Sequence, residues 1–313
     1  MGYGIAEKVG WVAHIVGKVL PKGSFKNMLG GLYDRHITFR HIAVDTVSSS
    51  VSRIIEWAKF EDGMLHVRLN NGLEYYAPAS VENAKWWDRY RQSQCTDKQA
   101  EFLIFREAYG RLMEQFIRGI YEKNCQLQKG NTVIDVGAAW GFNTVDFSRK
   151  VGDDGTVVAI EPDIGSLVIL RKNLDLNGCT NVIVVGKGLW SRKDKLEFSV
   201  KESAGCNSLV TLKTRGKVIG TMEIEVDTLD NILQELGIDI DKVALIKMDI
   251  EGSEIEALKG MDRIVSKDND VKVAVASYHI VGGQPTHKTI IPMMEQMGFS
   301  SQLKHGISYF ARR

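Results

Sequence analysis

Five short apolar runs after residue 130, "TVIDVG", "TVVAIEP", "NVIVVGKG", "ALIKMDI" and "VKVAVASYH", constrain the fold more than any other feature of this chain. They are continuous in β-branched and small apolar residues instead of alternating with polar ones, as strands buried on both faces are. Segments with helical character, such as 164–177 and 252–260, separate them. That βαβ alternation predicts an α/β domain with a doubly wound, mostly parallel sheet. Ligands of such sheets bind beyond the carboxyl ends of the strands. Residues 189–228 interrupt the rhythm with "LEFSV" and "TMEIEV", read as a hairpin or extra strands that help shape an acceptor pocket.

The chain of 313 residues has room for one large domain plus an extension. Residues 1–95 read as an N-terminal α+β extension, and 96–313 as the ligand-binding domain. In the extension, "MLHVRLNNGLEYYAP" holds two strand-like runs around Asn70-Asn71-Gly72, a hairpin signal. The second unit opens with a long amphipathic helix carrying Phe102, Phe105, Tyr109, Leu112, Phe116 and Ile120. Thr96 and Gln99 have capping-box spacing at its start. Residues 7–20 place Val9, Val12, Val16 and Val19 at helical spacing among lysines. They read as a helix docked on the domain or, alternatively, lying on a membrane surface.

Lys plus Arg number 40 against 39 Asp plus Glu, a formal net charge of +1. That balance argues against nucleic acid as a partner. Cys95, Cys125, Cys179 and Cys206 show no CxxC pairing, which points to reduced thiols and away from zinc. No run reaches membrane-span length. The expected location is cytoplasmic, with peripheral contact at the inner membrane surface if the N-terminal helix supplies it. The sequence leaves the oligomeric state open.

The first run continues into "VGAAWGFNTVDFS", a strand, a small-residue turn and a helix. Gly137 and Gly141 permit positive φ and close backbone approach. Asp135 ends the strand, where it can accept hydrogen bonds from a ligand or from loop amides. Glu161, in "AIEP" at the end of the next strand, is placed to take both hydroxyls of a ribose. A nicotinamide site asks for GxGxxG, whereas this turn reads Gly137-x-Ala139-x-Gly141. Alanine in the middle position calls for φ < 0 or some strain.

"LIKMDIEGSEIEAL" packs four carboxylates into the turn after the fourth run and the helix that follows. Ser253 and Glu256 have capping-box spacing, and Glu254 suits the positive end of a helix. Asp249 and Glu251 remain, at the strand's end beside the glycine turn, and read as functional.

The arrangement resembles the FkbM family of S-adenosylmethionine-dependent methyltransferases, through "VIDVGAAWGFNT", "AIEP", "VDTLDNIL" and above all "LIKMDIEGSEIEALKG". The resemblance covers about residues 105–300. It implies a class I methyltransferase (Rossmann-like) fold, S-adenosyl-L-methionine as cofactor, and O-methylation of a sugar, glycan, glycolipid or natural-product-like small molecule. The implied cofactor contacts are Asp135, Gly137, Ala139, Gly141, Asn143, Glu161, Pro162, Gly188 and Asp249. Of these, Asp135, Gly137 and Asn143 would line the methionine side and Glu161 the ribose. Lys187-Gly188-Leu189 lacks the acidic residue that many related enzymes hold near adenine.

Methylating an alcohol requires a base or a metal, because the hydroxyl must lose its proton as it attacks. His279, just past the fifth run, is the leading base, with His287 a minor candidate in "VGGQPTHK", a loop that could close over the substrate. A competing mechanism has Asp249, with Glu251 or His279, holding Mg²⁺. Two alternatives keep the fold: a nicotinamide-dependent oxidoreductase, and a catalytically silent nucleoside-binding or membrane-associated module.

Overall fold

The computed structural model describes residues 55–61, 64–78, 119, 121–201, 209, 218–266 and 270–312. The helix expected over residues 7–20 lies outside these, as does most of the long helix expected from Thr96. The described residues from Ile55 onward belong to one compact unit. Among them, no helix is long and apolar enough to cross a membrane.

Three antiparallel strands come first: β1 (Ile55–Glu61), β2 (Met64–Leu69) and β3 (Glu74–Pro78). The Asn70-Asn71-Gly72 turn joins β2 to β3, with Leu73 N–H donating to Asn71 Oδ1. The five apolar runs then form strands, read along the chain as β4 (Thr132–Val136), β5 (Thr156–Ile160), β6 (Val182–Val185), β10 (Val243–Met248) and β11 (Lys272–Ala276). Between β6 and β10 lie β7 (Gly188–Leu189), β8 (Asp194–Lys201) and β9 (Val218–Asp227). They make a separate three-stranded sheet in which β8 and β9 are the antiparallel pair that the sequence suggested. A short hairpin of β12 (Ile280–Val281) and β13 (Gln284–Pro285) follows β11, and β14 (Phe299–Lys304) and β15 (Ile307–Arg312) close the chain.

The central sheet has the order β14-β15-β11-β10-β4-β5-β6. Its five apolar strands are parallel, and β15 is antiparallel to both neighbours. This is the class I methyltransferase arrangement that the resemblance implies. From β4 the chain steps outward through β5 to β6, then returns to build β10 and β11 on the other side. The direction reverses between β4 and β10, which puts a crevice at their carboxyl ends.

Alternate residues of each strand feed two cores. Ile134, Val136, Ile246, Met248, Val273 and Val275 pack with helices α3 (Leu229–Glu235), α4 (Glu254–Leu258), α5 (Asp262–Ser266) and α6 (His287–Gln296) on one face. Val133, Val157, Leu245 and Ala274 pack with Tyr121 and with Phe147 and Val151 of α1 (Phe142–Val151) on the other. Helix α2 (Ile164–Leu176) carries β3 along its side. Asn173 and Asn177 imitate a strand there, pairing with the backbone of Tyr76 and Glu74. Asn173 Nδ2 also donates to the Trp140 carbonyl at 2.8 Å, so the N-terminal sheet and the glycine turn share one anchor.

Candidate active site

The turn after β4 holds Gly137 at φ 74°, Ala139 at φ 47° and Gly141 at φ 82°. Ala139 is therefore left-handed, the strained outcome for an L-residue, at a cost of roughly 1 kcal/mol. A Cβ on Gly137 would stand 1.9 Å from the Asp249 carbonyl oxygen, so glycine here lets the β4 turn lie against the end of β10. Gly141 caps α1, and a Cβ there would meet Leu170 at 2.3 Å. Its role is turn geometry and packing.

Seven of the expected residues, Gly137, Ala139, Glu161, Pro162, Gly188, Asp249 and Glu251, line one cleft across the strand ends. Glu161 is 7% exposed. Its Oε2 accepts the Ala139 N–H at 2.8 Å and its Oε1 the Asp163 N–H at 2.9 Å. Burial pushes its carboxyl up to about 7, against those two donors, which favour the ionised form. Lys187, Gly188 and Leu189 line the same cleft without an acidic residue. Phe198 of β8 and Leu209 join them, so the 189–228 insertion meets the cleft beside the third parallel strand.

Asp135 and Asn143 are not on the cleft wall. Asp135 is fully buried and stands in register beside Lys247 on β10. Its Oδ1 lies 2.9 Å from Lys247 Nζ, and its Oδ2 accepts from Thr144 Oγ1 at 2.7 Å. Lys247 also donates to the Gly137 carbonyl at 2.6 Å. The aspartate read as a ligand contact thus holds the lysine that clamps the turn. Asn143 is buried in the first turn of α1.

Asp249 Oδ2 accepts the Tyr121 hydroxyl at 2.9 Å, while its Oδ1 makes no hydrogen bond. The capping box of Ser253 and Glu256 does not form. Ser253 makes no side-chain cap, and Glu256 instead accepts from Ser191. Glu254 folds back over the turn, where its Oε1 accepts the N–H groups of Ile250 and Gly252 and stands 2.8 Å from His279 Nδ1.

His279 is 5% exposed and does not line the cleft. Its Nε2 faces Asp249 Oδ1 at 3.6 Å and Glu251 Oε2 at 3.8 Å. Burial acts to lower its pKa but is outweighed by the carboxylates of Glu251, Glu254 and Asp249, which raise it to about 11. With both nitrogens turned to carboxylates, the ring has no edge open to an acceptor hydroxyl, and the general-base role expected of His279 loses its geometry. His287 is committed to the Ser277 carbonyl at the start of α6. The adjacent glycines Gly282 and Gly283 form the tight turn between β12 and β13. Lys247 and Tyr121 were missed in the sequence, and Glu254 was read there only as a charge at the start of a helix. Only Lys247 left a signal there, a lone charge inside an apolar strand, which demands a buried partner.

A glycine turn and two carboxylate-bearing strand ends meet at a switch-point crevice of a domain of the class I methyltransferase type. Residues 135–301 match the family described as the methyltransferase FkbM domain. That is more than half of the chain, which belongs to this family.

Among curated relatives, a probable cobalt-precorrin-6B C(15)-methyltransferase (decarboxylating) of Saccharolobus solfataricus is 31% identical over 25% of this chain and 39% of its own length. Methyltransferase sdnD of Sordaria araneosa is 25% identical over 50% of this chain and 71% of its own. The chain thus spans well under half of the first relative. Among solved structures, methyltransferase FkbM from Methylobacillus flagellatus KT is similar over 74% of this chain and 59% of its own, at 21% identity and a TM-score of 0.41.

Proposed function

We propose that this protein transfers a methyl group from S-adenosyl-L-methionine to a hydroxyl oxygen of a sugar, glycan, glycolipid or natural-product-like small molecule. The observation that carries this reading is the single cleft that Glu161 and Asp249 share on either side of the Gly137 turn. When bound, the cofactor supplies a methyl group on a sulfonium, already electrophilic.

The work left to the chain is positioning and proton handling. Ionised Glu161, fixed by the Ala139 and Asp163 amides, keeps lone pairs for two ribose hydroxyls. Gly137 lets backbone, not side chain, face the ligand beside it. At the other end Asp249 has one oxygen held by Tyr121 and one without a hydrogen bond. That second oxygen is buried and faces His279 Nε2 at 3.6 Å, so Asp249 handles the acceptor's proton as part of this carboxylate–histidine cluster, the part the sequence gave to His279 alone.

The test is calorimetric titration of the folded full chain with S-adenosylhomocysteine, followed by methyl-transfer assays over a panel of hydroxylated acceptors. Binding with methyl ethers as products supports the reading. Folded protein that ignores S-adenosylhomocysteine but enhances NADH fluorescence overturns it in favour of an oxidoreductase.

A further inference from the structure

Tyr278 is the most exposed aromatic side chain among the described residues, at 49%. It stands just past the carboxyl end of β11, next to His279. A single exposed ring is ordinary on a protein surface, but this one is firmly held. Ser277, before it, donates its N–H to the Gly306 carbonyl at 2.9 Å and accepts the His287 N–H at 3.0 Å. The Ser277 hydroxyl pairs with that of Ser308 at 2.7 Å. His279, after it, accepts the Thr286 N–H at 2.8 Å. The β14–β15 turn closes against the ring, where a Cβ on Gly306 would stand 3.1 Å from both Cβ and Cδ1 of Tyr278.

The ring is also tied to the carboxylate cluster. The Tyr278 and His279 ring centroids are 4.4 Å apart, tilted by 45°. His279 is the cation that Asp249, Glu251 and Glu254 face, and a cation beside an aromatic ring attracts it. Asp249 and Glu251 line the cleft. A single imidazole therefore separates an open aromatic surface from the two carboxylates at that end of the cleft. Glu251 is held there at φ 53°, a strained conformation of the kind that gathers at functional sites. Ile280, which follows His279, is exposed as well and adds apolar surface.

A ligand that suits this arrangement brings a hydroxyl to the carboxylates and, one ring's width away, a flat C–H face to the tyrosine. Sugars and hydroxylated carbocycles have both surfaces, whereas a linear alcohol has no face to match a lone, rigid ring. A braced aromatic side chain also loses little freedom when a ligand covers it. We infer that Tyr278 is the platform for a cyclic acceptor, a sugar or hydroxylated carbocycle, whose C–H face lies on the aromatic ring while one hydroxyl reaches Asp249 and Glu251. The inference rests on the methyl-transfer reading and narrows its acceptor.

The platform is tested without turnover, by saturation-transfer NMR on the full-length protein. The probes are the methyl glycosides of glucose, mannose and fucose, cyclohexanediol as a bare ring, and decanediol as a linear alcohol. Saturation should reach the ring C–H protons of at least one cyclic probe. Tyr278→Ala should weaken that binding about 5–30-fold, while Tyr278→Phe, which keeps the ring, should stay within about twofold of wild type. Binding of decanediol alone, of no probe at all, or of cyclic probes equally well in Tyr278→Ala overturns the inference. So does a loss in Tyr278→Phe as large as in Tyr278→Ala. Calorimetric titration of the same samples with S-adenosylhomocysteine separates the two readings. Cofactor binding with no dependence on Tyr278 removes only the platform. Tyr278-dependent binding of a ring in protein that ignores S-adenosylhomocysteine removes the methyl-transfer reading.

Discussion

Gly137 and Asp249 touch through their backbones: a Cβ on Gly137 would sit 1.9 Å from the Asp249 carbonyl oxygen. The ends of β4 and β10 are joined there, and the cleft exists because they are. Gly137→Ala should therefore abolish S-adenosylhomocysteine binding and lower the melting temperature by several degrees. Gly72 in the β2–β3 turn has a similar positive φ, 82°, but no atom within 4 Å of the added Cβ. Gly72→Ala should cost about 1 kcal/mol and leave cofactor binding intact. Calorimetry and thermal melts on both variants separate backbone strain from collision.

The Asp135–Lys247 pair predicts a second asymmetry. Lys247→Met strands a fully buried carboxylate and should cost about 3–5 kcal/mol in urea denaturation. Changing both residues, as Asp135→Asn with Lys247→Met, should cost clearly less than the sum of the single variants, since each single change leaves the other charge unpaired. Strict additivity would show that the two groups do not interact.

These residues also mark how far the sequence could be read. The parallel strands were legible because "TVIDV" and "KVAVA" are buried on both faces and look it. The hairpin was legible because Asn70-Asn71-Gly72 writes its own turn. The cleft followed from topology, which brings Gly137, Glu161 and Asp249 to neighbouring strand ends whatever lies between. What escaped was set by register and by side-chain reach. Nothing local tells that Lys247 stands beside Asp135, because that depends on how β10 aligns with β4. The spacing of Ser253 and Glu256 is that of a capping box, yet α4 is a five-residue helix. Its entry is organised by Glu254 reaching back to the turn amides and to His279. His279 itself was found, but its role depends on three carboxylates whose directions no spacing rule supplies.

The raised pKa of Glu161 gives a pH dependence. Its value of about 7 in the ligand-free protein lies above its ordinary 4.5, so the folded chain holds a proton that the unfolded chain releases between those limits. The ligand-free domain should lose stability as pH rises from about 4.5 to 7. Ribose hydroxyls donate to the ionised form, so S-adenosylhomocysteine affinity should instead increase as pH rises through about 7, with proton release on binding below it. Calorimetry in buffers of different ionisation enthalpy measures that release. Glu161→Gln should weaken binding about 10–100-fold, consistent with loss of hydrogen bonds to a charged acceptor, and should flatten both pH profiles. A pH-independent wild-type affinity between 5.5 and 8 would mean that Glu161 does not hold the ribose.

Tyr121 and Asp249 make a prediction about rate. The Tyr121 hydroxyl donates at 2.9 Å to Asp249 Oδ2, so it fixes the carboxylate without touching Glu161 at the other end of the cleft. Tyr121→Phe removes one hydrogen bond to a charged group, and such bonds contribute about 1.5–3 kcal/mol. If that stabilisation is felt mainly in the transition state, kcat should fall roughly ten- to a hundredfold while S-adenosylhomocysteine affinity stays near wild type. Asp249→Asn should lower transfer below detection, with cofactor affinity largely retained. Equal losses of kcat and cofactor affinity in Tyr121→Phe would show that the tyrosine supports the fold of the cleft as a whole. Near wild-type turnover in Asp249→Asn would remove the carboxylate from the chemistry.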